Sequence, residues 1–311
     1  MQKRFYSKTR RKHKVRKYFF LLLFVFGMYF AYQYLDDRPV KIDQKKFVQI
    51  LLSKNQEKSL MASFLAMIFP TSEDRMVALL ENNYQNLIME DEKKVVPISS
   101  LDDTSEPLIY IYNSHQSEEY MPNSFVEYSV MPTVMMNDYI LEEKLEENGY
   151  PTLVEERNIK DVLNQHGWNY AGSYQASRVF LEDVRKTYPS LKYFVDVHRD
   201  SLGKDRTTVT IDNKNYASIL FLIGLENPNY QANLEFTEKI SQKINEKYPN
   251  LSKGIYQKEG PGVNGVYNQD FSPFTILVEM GGPENTIDEV LNTSLAFADC
   301  FLEVIREYEI R

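Results

Sequence analysis

The sequence predicts an α/β domain with a mostly parallel, twisted sheet and helices on both faces, preceded by a transmembrane helix and a helical stem. From residue 107 onward, short β-rich runs alternate with longer amphipathic segments, which is typical of a parallel sheet. Residues 18–35 are uncharged and close to the ~20 residues that span a bilayer. Residues 36–106 show helical apolar spacing that gives way to a polar linker.

The N-terminal region has the charge distribution of a single-pass membrane anchor. Residues 1–17 contain nine Lys or Arg and no acidic residue, whereas Asp36 and Asp37 follow the apolar segment. By the positive-inside rule, the 1–17 tail lies in the cytoplasm and everything from Asp36 onward lies outside the cell membrane. A cleaved signal peptide is the alternative, but the residues that end the apolar run are too bulky for a small-x-small cleavage site.

The remainder of the chain is acidic, which argues against nucleic acid as a partner. The whole chain has a formal net charge of -8. Without the 1–17 tail, 27 basic residues are set against 44 acidic ones. A surface with this balance repels the phosphate backbone on which nucleic-acid binding depends.

Breaks in the apolar pattern set the limits of the predicted elements. Pro70 separates two stem helices, Gly149 ends the first helix of the domain, and Pro189 follows the second. Residues 212–215 lie in a turn between paired strands. The predicted helices are 45–69, 73–87, 130–148, 170–188, 233–247 and 284–308. The predicted strands are 108–113, 151–155, 191–198, 207–211, 217–224 and 274–279, which places the α/β domain at 107–311.

Three of these strands end on residues that can bind or activate a ligand. The strand at 191–198 ends on His198, and the strand at 108–113 is followed by His115, with Glu118 three residues later. Binding sites in open α/β sheets form at the carboxyl ends of the strands. Two His and one Glu with an open fourth position form a recurring catalytic zinc site. A further carboxylate must then transfer protons, and Glu279, at the end of a third strand, is the candidate.

Each of these residues also has a structural interpretation. A single histidine at a strand end is most often a hydrogen-bonded structural residue. Glu279 alone could satisfy a backbone turn at Gly281 and Gly282. Spacing by itself therefore leaves both the metal site and the structural interpretation open.

Several separated segments resemble the stage II sporulation protein P family of membrane-anchored zinc N-acetylmuramoyl-L-alanine amidases, which act in engulfment during sporulation. The resemblance implies the phosphorylase/hydrolase-like α/β fold of cell-wall amidases. It implies peptidoglycan as substrate, cleaved between the muramic acid lactyl group and L-alanine, with endopeptidase activity in some members. It also implies a lytic transglycosylase and a membrane scaffold as partners in an engulfment-type complex. The matching segments are 111–120, 169–184, 194–201, 221–240 and 266–290, and the third reads FVDVHRDS.

The resemblance also implies roles for individual residues. His115, Glu118 and His198 match the Zn²⁺ ligands, although Glu127, twelve residues after His115, competes with Glu118 for the third position. Glu279 matches the catalytic glutamate. Three further matching residues are candidates for substrate binding, with structural roles as the alternative: Arg178, Arg199 and Gln269.

Two other functions fit the same residues. A zinc carboxypeptidase uses the same His-x-x-Glu spacing, a distant His and a later Glu, but it releases single residues where an amidase releases whole stem peptides. A non-catalytic, membrane-tethered scaffold would keep the fold without the chemistry. Bound zinc in the 107–311 domain would argue against the scaffold.

Overall fold

The computed structural model describes residues 42–56, 106–121 and 130–309. The predicted 1–17 tail, the predicted membrane helix 18–35 and most of the stem lie outside the described residues. Among the helices inside these ranges, none has both the length and the apolar composition of a membrane span.

The described chain alternates strands and helices, as the sequence predicts. The strands are β1 Ile109–Tyr112, β2 Thr152–Val154, β3 Tyr193–His198, β4 Thr208–Ile211, β5 Lys214–Ala217, β6 Ile219–Gly224, β7 Ser252–Lys258 and β8 Thr275–Met280. The helices are α1 Gln44–Gln56, α2 Met135–Glu147, α3 Ile159–His166, α4 Ser173–Thr187, α5 Lys204–Thr207, α6 Tyr230–Lys247 and α7 Ile287–Glu309.

Six strands form the main sheet in the order β2-β1-β3-β8-β6-β7. All neighbouring pairs are parallel except β6 with β8, so the predicted mostly parallel sheet is confirmed. Strand β3 lies between β1 and β8, and their carboxyl ends meet at the same edge. In register, His198 of β3 pairs with Glu279 of β8. The three strands that carry the candidate residues are therefore immediate neighbours.

Helices cover both faces of the sheet because successive side chains of a strand point to opposite sides. Phe194 of β3 packs with Leu181 of α4 on one face. Its neighbour Tyr193 contacts Phe236 of α6 and Phe301 of α7 on the other face. Both residues are fully buried, so β3 has an apolar core on each side.

The structure corrects one predicted strand pairing and adds two elements that the sequence did not predict. Residues 219–224 of the predicted strand 217–224 form β6 in the main sheet against β8, and the hairpin partner of β4 is β5 instead. Asp212 and Asn213 both have positive φ, as a two-residue hairpin turn between β4 and β5 requires. Strand β7 and helix α3 were not predicted, because β7 is mostly polar and α3 spans only eight residues between loops.

Helix α1 belongs to the α/β domain, although the sequence places it in the stem. Phe47, Val48 and Leu51 are buried, and Nζ of Lys45 lies 2.9 Å from the carboxylate of Glu142 on α2. The predicted boundary at 107 stays a prediction, because residues 57–105 lie outside the described residues. The amphipathic pattern of 45–69 predicts a helix but cannot indicate which surface covers its apolar face.

Candidate metal centre and active site

The two residues before His115 attach the end of β1 to the end of β3. The side-chain amide of Asn113 donates to the carbonyl of Val197 at 2.9 Å. The backbone N–H of Ser114 donates to Asp196 at 2.9 Å. These bonds join the carboxyl ends of the strands that supply His115 and His198.

The structure brings together the three predicted ligands, His115, Glu118 and His198. Nδ1 of His115 lies 3.4 Å from Oε1 of Glu118, and Nδ1 of His198 lies 3.6 Å from Oε2. One ligand atom from each of the three residues lies within 4.8 Å of the others. The turn after β1 brings Glu118 back toward His115, since the N–H of Glu118 donates to the carbonyl of His115 at 3.1 Å. The competing residue Glu127 lies outside the described residues.

The electrostatics of this cluster favour a cation. Burial opposes ionisation of Glu118, but hydrogen bonds from His115 and His198 outweigh it and lower the pKa of Glu118 to about 2. Burial also opposes a charged His198, yet the carboxylates of Asp196 and Glu118 raise the pKa of His198 to about 10. The protein thus stabilises positive charge between two carboxylates. A divalent cation bound by His115, Glu118 and His198 would supply positive charge at the same place.

Asp196 is the principal member of the site that the sequence interpretation missed. It is 0% exposed, and Oδ1 lies 3.0 Å from Nε2 of His198, the ring nitrogen that faces away from Glu118. The N–H and hydroxyl of Ser114 both donate to its carboxylate. A carboxylate on the outer nitrogen is the usual partner of a metal-binding histidine. The period of two along β3 places Asp196 and His198 on one face and could have identified this pair.

Aromatic rings enclose the histidines. The ring of Tyr170 stacks on His115 with centroids 4.8 Å apart, and the Tyr174 ring lies 5.4 Å from His115 and 6.2 Å from His198. Tyr174 is half-buried, and burial of its hydroxyl raises the pKa of that group well above the usual value. Tyr170 is 55% exposed and forms an open edge of the site. Both rings restrict the orientation of His115.

Glu279 lies beside the ligand cluster. The backbone turn that follows it, at Gly281 and Gly282, does not depend on its carboxylate. The N–H of Gly281 donates to the carbonyl of Ser218, and the N–H of Gly282 donates to Asn285. The turn at Gly281 and Gly282 is therefore satisfied without the Glu279 carboxylate. Burial, followed by the charge of Asp200, raises the pKa of Glu279 to about 7. A carboxyl group with this pKa can accept and return a proton near neutral pH.

The structure gives structural partners to the three predicted substrate-binding residues. Arg178 lies 2.8 Å from Asp270 and 3.2 Å from Glu182, and its guanidinium covers the ring of Phe271. Arg178 thus forms the ion pair of its structural alternative, and a role in substrate binding stays a prediction.

Gln269 is buried and bridges the backbone of β6. It accepts from the N–H of Gly224 and donates to the carbonyl of Leu222. These bonds give Gln269 a structural role, and its contact with substrate stays a prediction. The backbone N–H of Arg199 donates to Glu118 at 2.9 Å, and its guanidinium donates to the carbonyls of Glu119 and Asp200. Arg199 thus positions Glu118, and a role in substrate binding remains a prediction.

Comparisons with known proteins cover most of the described chain. The family model described as Stage II sporulation protein P matches residues 44–302. The curated protein "Stage II sporulation protein P" of Bacillus subtilis (strain 168) is 32% identical over 244 residues, which are 76% of this chain and 60% of the relative. The chain therefore spans about 60% of that relative's length.

Two solved structures align with about two thirds of this chain. The CwlD amidase from Clostridioides difficile, solved in complex with the GerS lipoprotein, is 12% identical, with 65% of this chain and 98% of that chain covered and a TM-score of 0.43. A metallo-carboxypeptidase from Burkholderia cenocepacia is also 12% identical, with 67% and 59% covered and a TM-score of 0.39. These values do not distinguish between an amidase and a carboxypeptidase.

Proposed function

This chain belongs to the stage II sporulation protein P family, and we propose that it is a zinc-dependent peptidoglycan hydrolase. In this proposal it cleaves the amide between N-acetylmuramic acid and L-alanine, as cell-wall remodelling during sporulation requires. The observation that carries the proposal is the convergence of His115, Glu118 and His198, with Glu279 in register beside His198.

The three ligand residues fit a tetrahedral zinc ion. Donor atoms at ~2.0–2.1 Å from a tetrahedral metal lie ~3.3 Å from one another. Nδ1 of His115 lies 3.4 Å from one oxygen of Glu118, and Nδ1 of His198 lies 3.6 Å from the other. One ligand atom of each residue lies within 4.8 Å of the others, so small side-chain movements would bring the three donors around one ion. Two His and one Glu also leave a fourth position open for a substrate or water. A zinc ion bound there would act as a Lewis acid that polarises the scissile carbonyl and makes water more acidic.

The chain's own residues supply the proton transfer. Glu279, ionised, accepts a proton from the attacking water and then donates it to the leaving nitrogen, so the amine departs in neutral form. Asp196 and Arg199 hold the geometry: Asp196 faces the outer nitrogen of His198, and the N–H of Arg199 fixes the Glu118 carboxylate. Tyr170 and Tyr174 fix the His115 ring and limit the access of solvent to it.

Mass spectrometry of muropeptides tests the reaction. Purified peptidoglycan digested with the zinc-loaded protein should release intact stem peptides and leave saccharides with a free lactyl carboxyl group. Release of single C-terminal residues would instead assign the carboxypeptidase activity. Cuts within crosslinks would assign an endopeptidase activity, and an unchanged digest from a zinc-loaded protein would favour the non-catalytic scaffold.

The location of the domain is part of the proposal. The charge step across 18–35 predicts that residues 36–311 lie outside the cell membrane. Protease added to intact protoplasts should therefore remove the domain, whereas protection of the domain until lysis would reverse this topology. The predicted partners, a lytic transglycosylase and a membrane scaffold, remain predictions that co-purification from detergent-solubilised membranes can test.

A further inference from the structure

A second site adjoins the proposed catalytic residue. Glu279 lines a cavity of about 370 Å³ together with residues of α5, β6, β7 and the loop after β3. The side chains that matter here are Asp200, Arg206, Ser218, Lys253 and Glu279. The volume is large enough for two or three residues of a peptide, and nothing in the proposed proton transfer uses the far side of this cavity.

Two cations in this cavity have no partner in the part of the chain that the structure describes. Arg206 of α5 and Lys253 of β7 are exposed, and neither side chain forms a hydrogen bond or ion pair with a described residue. Lys204, on the same short helix, instead lies 2.9 Å from Glu289. Arg206 and Lys253 thus place two positive charges in one cavity without a described counter-charge.

The acids of the cavity do not neutralise these cations. An oxygen of Asp200 accepts from the N–H of Leu202 at 3.0 Å, and burial together with the charge of Asp200 raises the pKa of Glu279. Asp205 also lines the cavity, but no ion pair joins it to Arg206 or Lys253. The cations are therefore available to an anionic group that enters from outside.

The direction of the proposed reaction decides which half of the substrate enters this cavity. Glu279 returns its proton to the leaving nitrogen, so the nitrogen must lie against Glu279. In the proposed amide, that nitrogen begins the peptide. The cavity that Glu279 lines is therefore the space next to the first residue of the peptide, and the acyl half with its sugar lies on the opposite side of the scissile bond.

We propose that Arg206 and Lys253 form a subsite that binds a free carboxylate of the peptide leaving group. This inference rests on the proposed function, because it takes the peptide half from the position of Glu279. A stem peptide carries free carboxylates at its C-terminus and at any residue linked through its side-chain carboxyl group. Charge-assisted hydrogen bonds from a guanidinium and an ammonium suit such a group. The hydroxyl of Ser218 lines the same wall and can add a third donor.

The test is a titration that needs no turnover. The probe is a synthetic tetrapeptide, L-alanyl-γ-D-glutamyl-L-lysyl-D-alanine, measured by calorimetry on the zinc-loaded, full-length protein, beside the same peptide with both carboxyl groups amidated. The doubly amidated peptide should bind about tenfold more weakly, and R206Q/K253Q should weaken binding of the free-acid peptide by a similar factor. The double variant should leave the affinity of the amidated peptide within about twofold, because the lost interaction is already absent.

Controls separate the possible results. Lys186→Gln removes an exposed cation from α4, away from this cavity, and should change neither affinity. The subsite is wrong if amidation has no effect, or if the double variant weakens both peptides equally. Competition by inorganic phosphate as strong as that by the peptide would replace the peptide subsite with a general anion site. Because no bond is cut in this titration, an inactive digest would contradict the proposed function without deciding the subsite.

Discussion

The His198→Ala variant should lose its metal and its hydrolytic activity. His198 is buried between Glu118 and Asp196, so the substitution removes a ligand and leaves two carboxylates without the cation between them. A three-ligand site has no spare donor, and the affinity for zinc should fall by more than the 10- to 100-fold typical of losses around the ligands. His115→Ala should behave in the same way. Zinc per chain, measured by mass spectrometry after gel filtration, checks both.

A graded series makes this result specific to the site. Asp196→Asn keeps the shape of the side chain but not its charge against His198, so the affinity for zinc should fall by about 10- to 100-fold. His166→Ala is the matched control, because His166 is exposed and stacks on Trp168 outside the cluster. Full zinc occupancy in His198→Ala would contradict the assigned ligands. Equal losses of zinc in His198→Ala, Asp196→Asn and His166→Ala would contradict them as well.

The Glu279→Gln variant should be folded, bind zinc and be almost inactive. The amide is close in shape to the carboxylate but cannot accept the proton of the attacking water. Loss of a general acid–base group typically reduces the rate by ~10²–10⁴-fold. The Gly281 turn uses Ser218 and Asn285 instead, so the melting temperature should not fall. Steady-state rates, zinc content and thermal unfolding together check this prediction.

The pH dependence provides an independent measurement of the same residue. Burial and the charge of Asp200 raise the pKa of Glu279 to about 7, and only its ionised form can accept a proton. The wild-type kcat/KM should therefore fall as the pH drops through that value, which gives the pH–rate profile an acidic limb. A bound divalent cation moves this limb toward lower pH, because a nearby positive charge favours the ionised carboxylate. The residual activity of Glu279→Gln should lack the limb. Glu259→Gln, at an exposed position, should retain both rate and limb. Near-normal turnover in Glu279→Gln would return Glu279 to a structural role.

The residues of the site could be predicted because chemistry-bearing side chains end apolar strands. His115, His198 and Glu279 each follow a β-rich run, and Glu118 follows His115 by a short turn. Their convergence could not be predicted from periodicity, because it depends on β3 lying between β1 and β8. Strand order is set by long-range packing, which a local pattern does not contain.

The misinterpreted elements have local patterns that are compatible with two environments. The apolar run of β6 reads equally as the second strand of a hairpin or as a buried strand, and only its register with β8 decides. Gln269 has a polar side chain, as residues that line a cleft often do. Its amide instead forms hydrogen bonds with the backbone of β6. Asp196 was overlooked because it lies inside an apolar run, although buried carboxylates need a partner and His198 is two residues away.

Anomalous diffraction at the zinc edge, from crystals of the zinc-loaded protein, tests the central claim most directly. The account predicts one strong peak at the carboxyl ends of β1 and β3, with nitrogen atoms of His115 and His198 and an oxygen of Glu118 at ~2.0–2.2 Å. The Glu279 carboxylate should lie beside the ion without binding it. A peak ligated by Glu127 in place of Glu118 would correct the third ligand. A peak bound by Glu279, or no peak between the two histidines, would contradict the proposed centre.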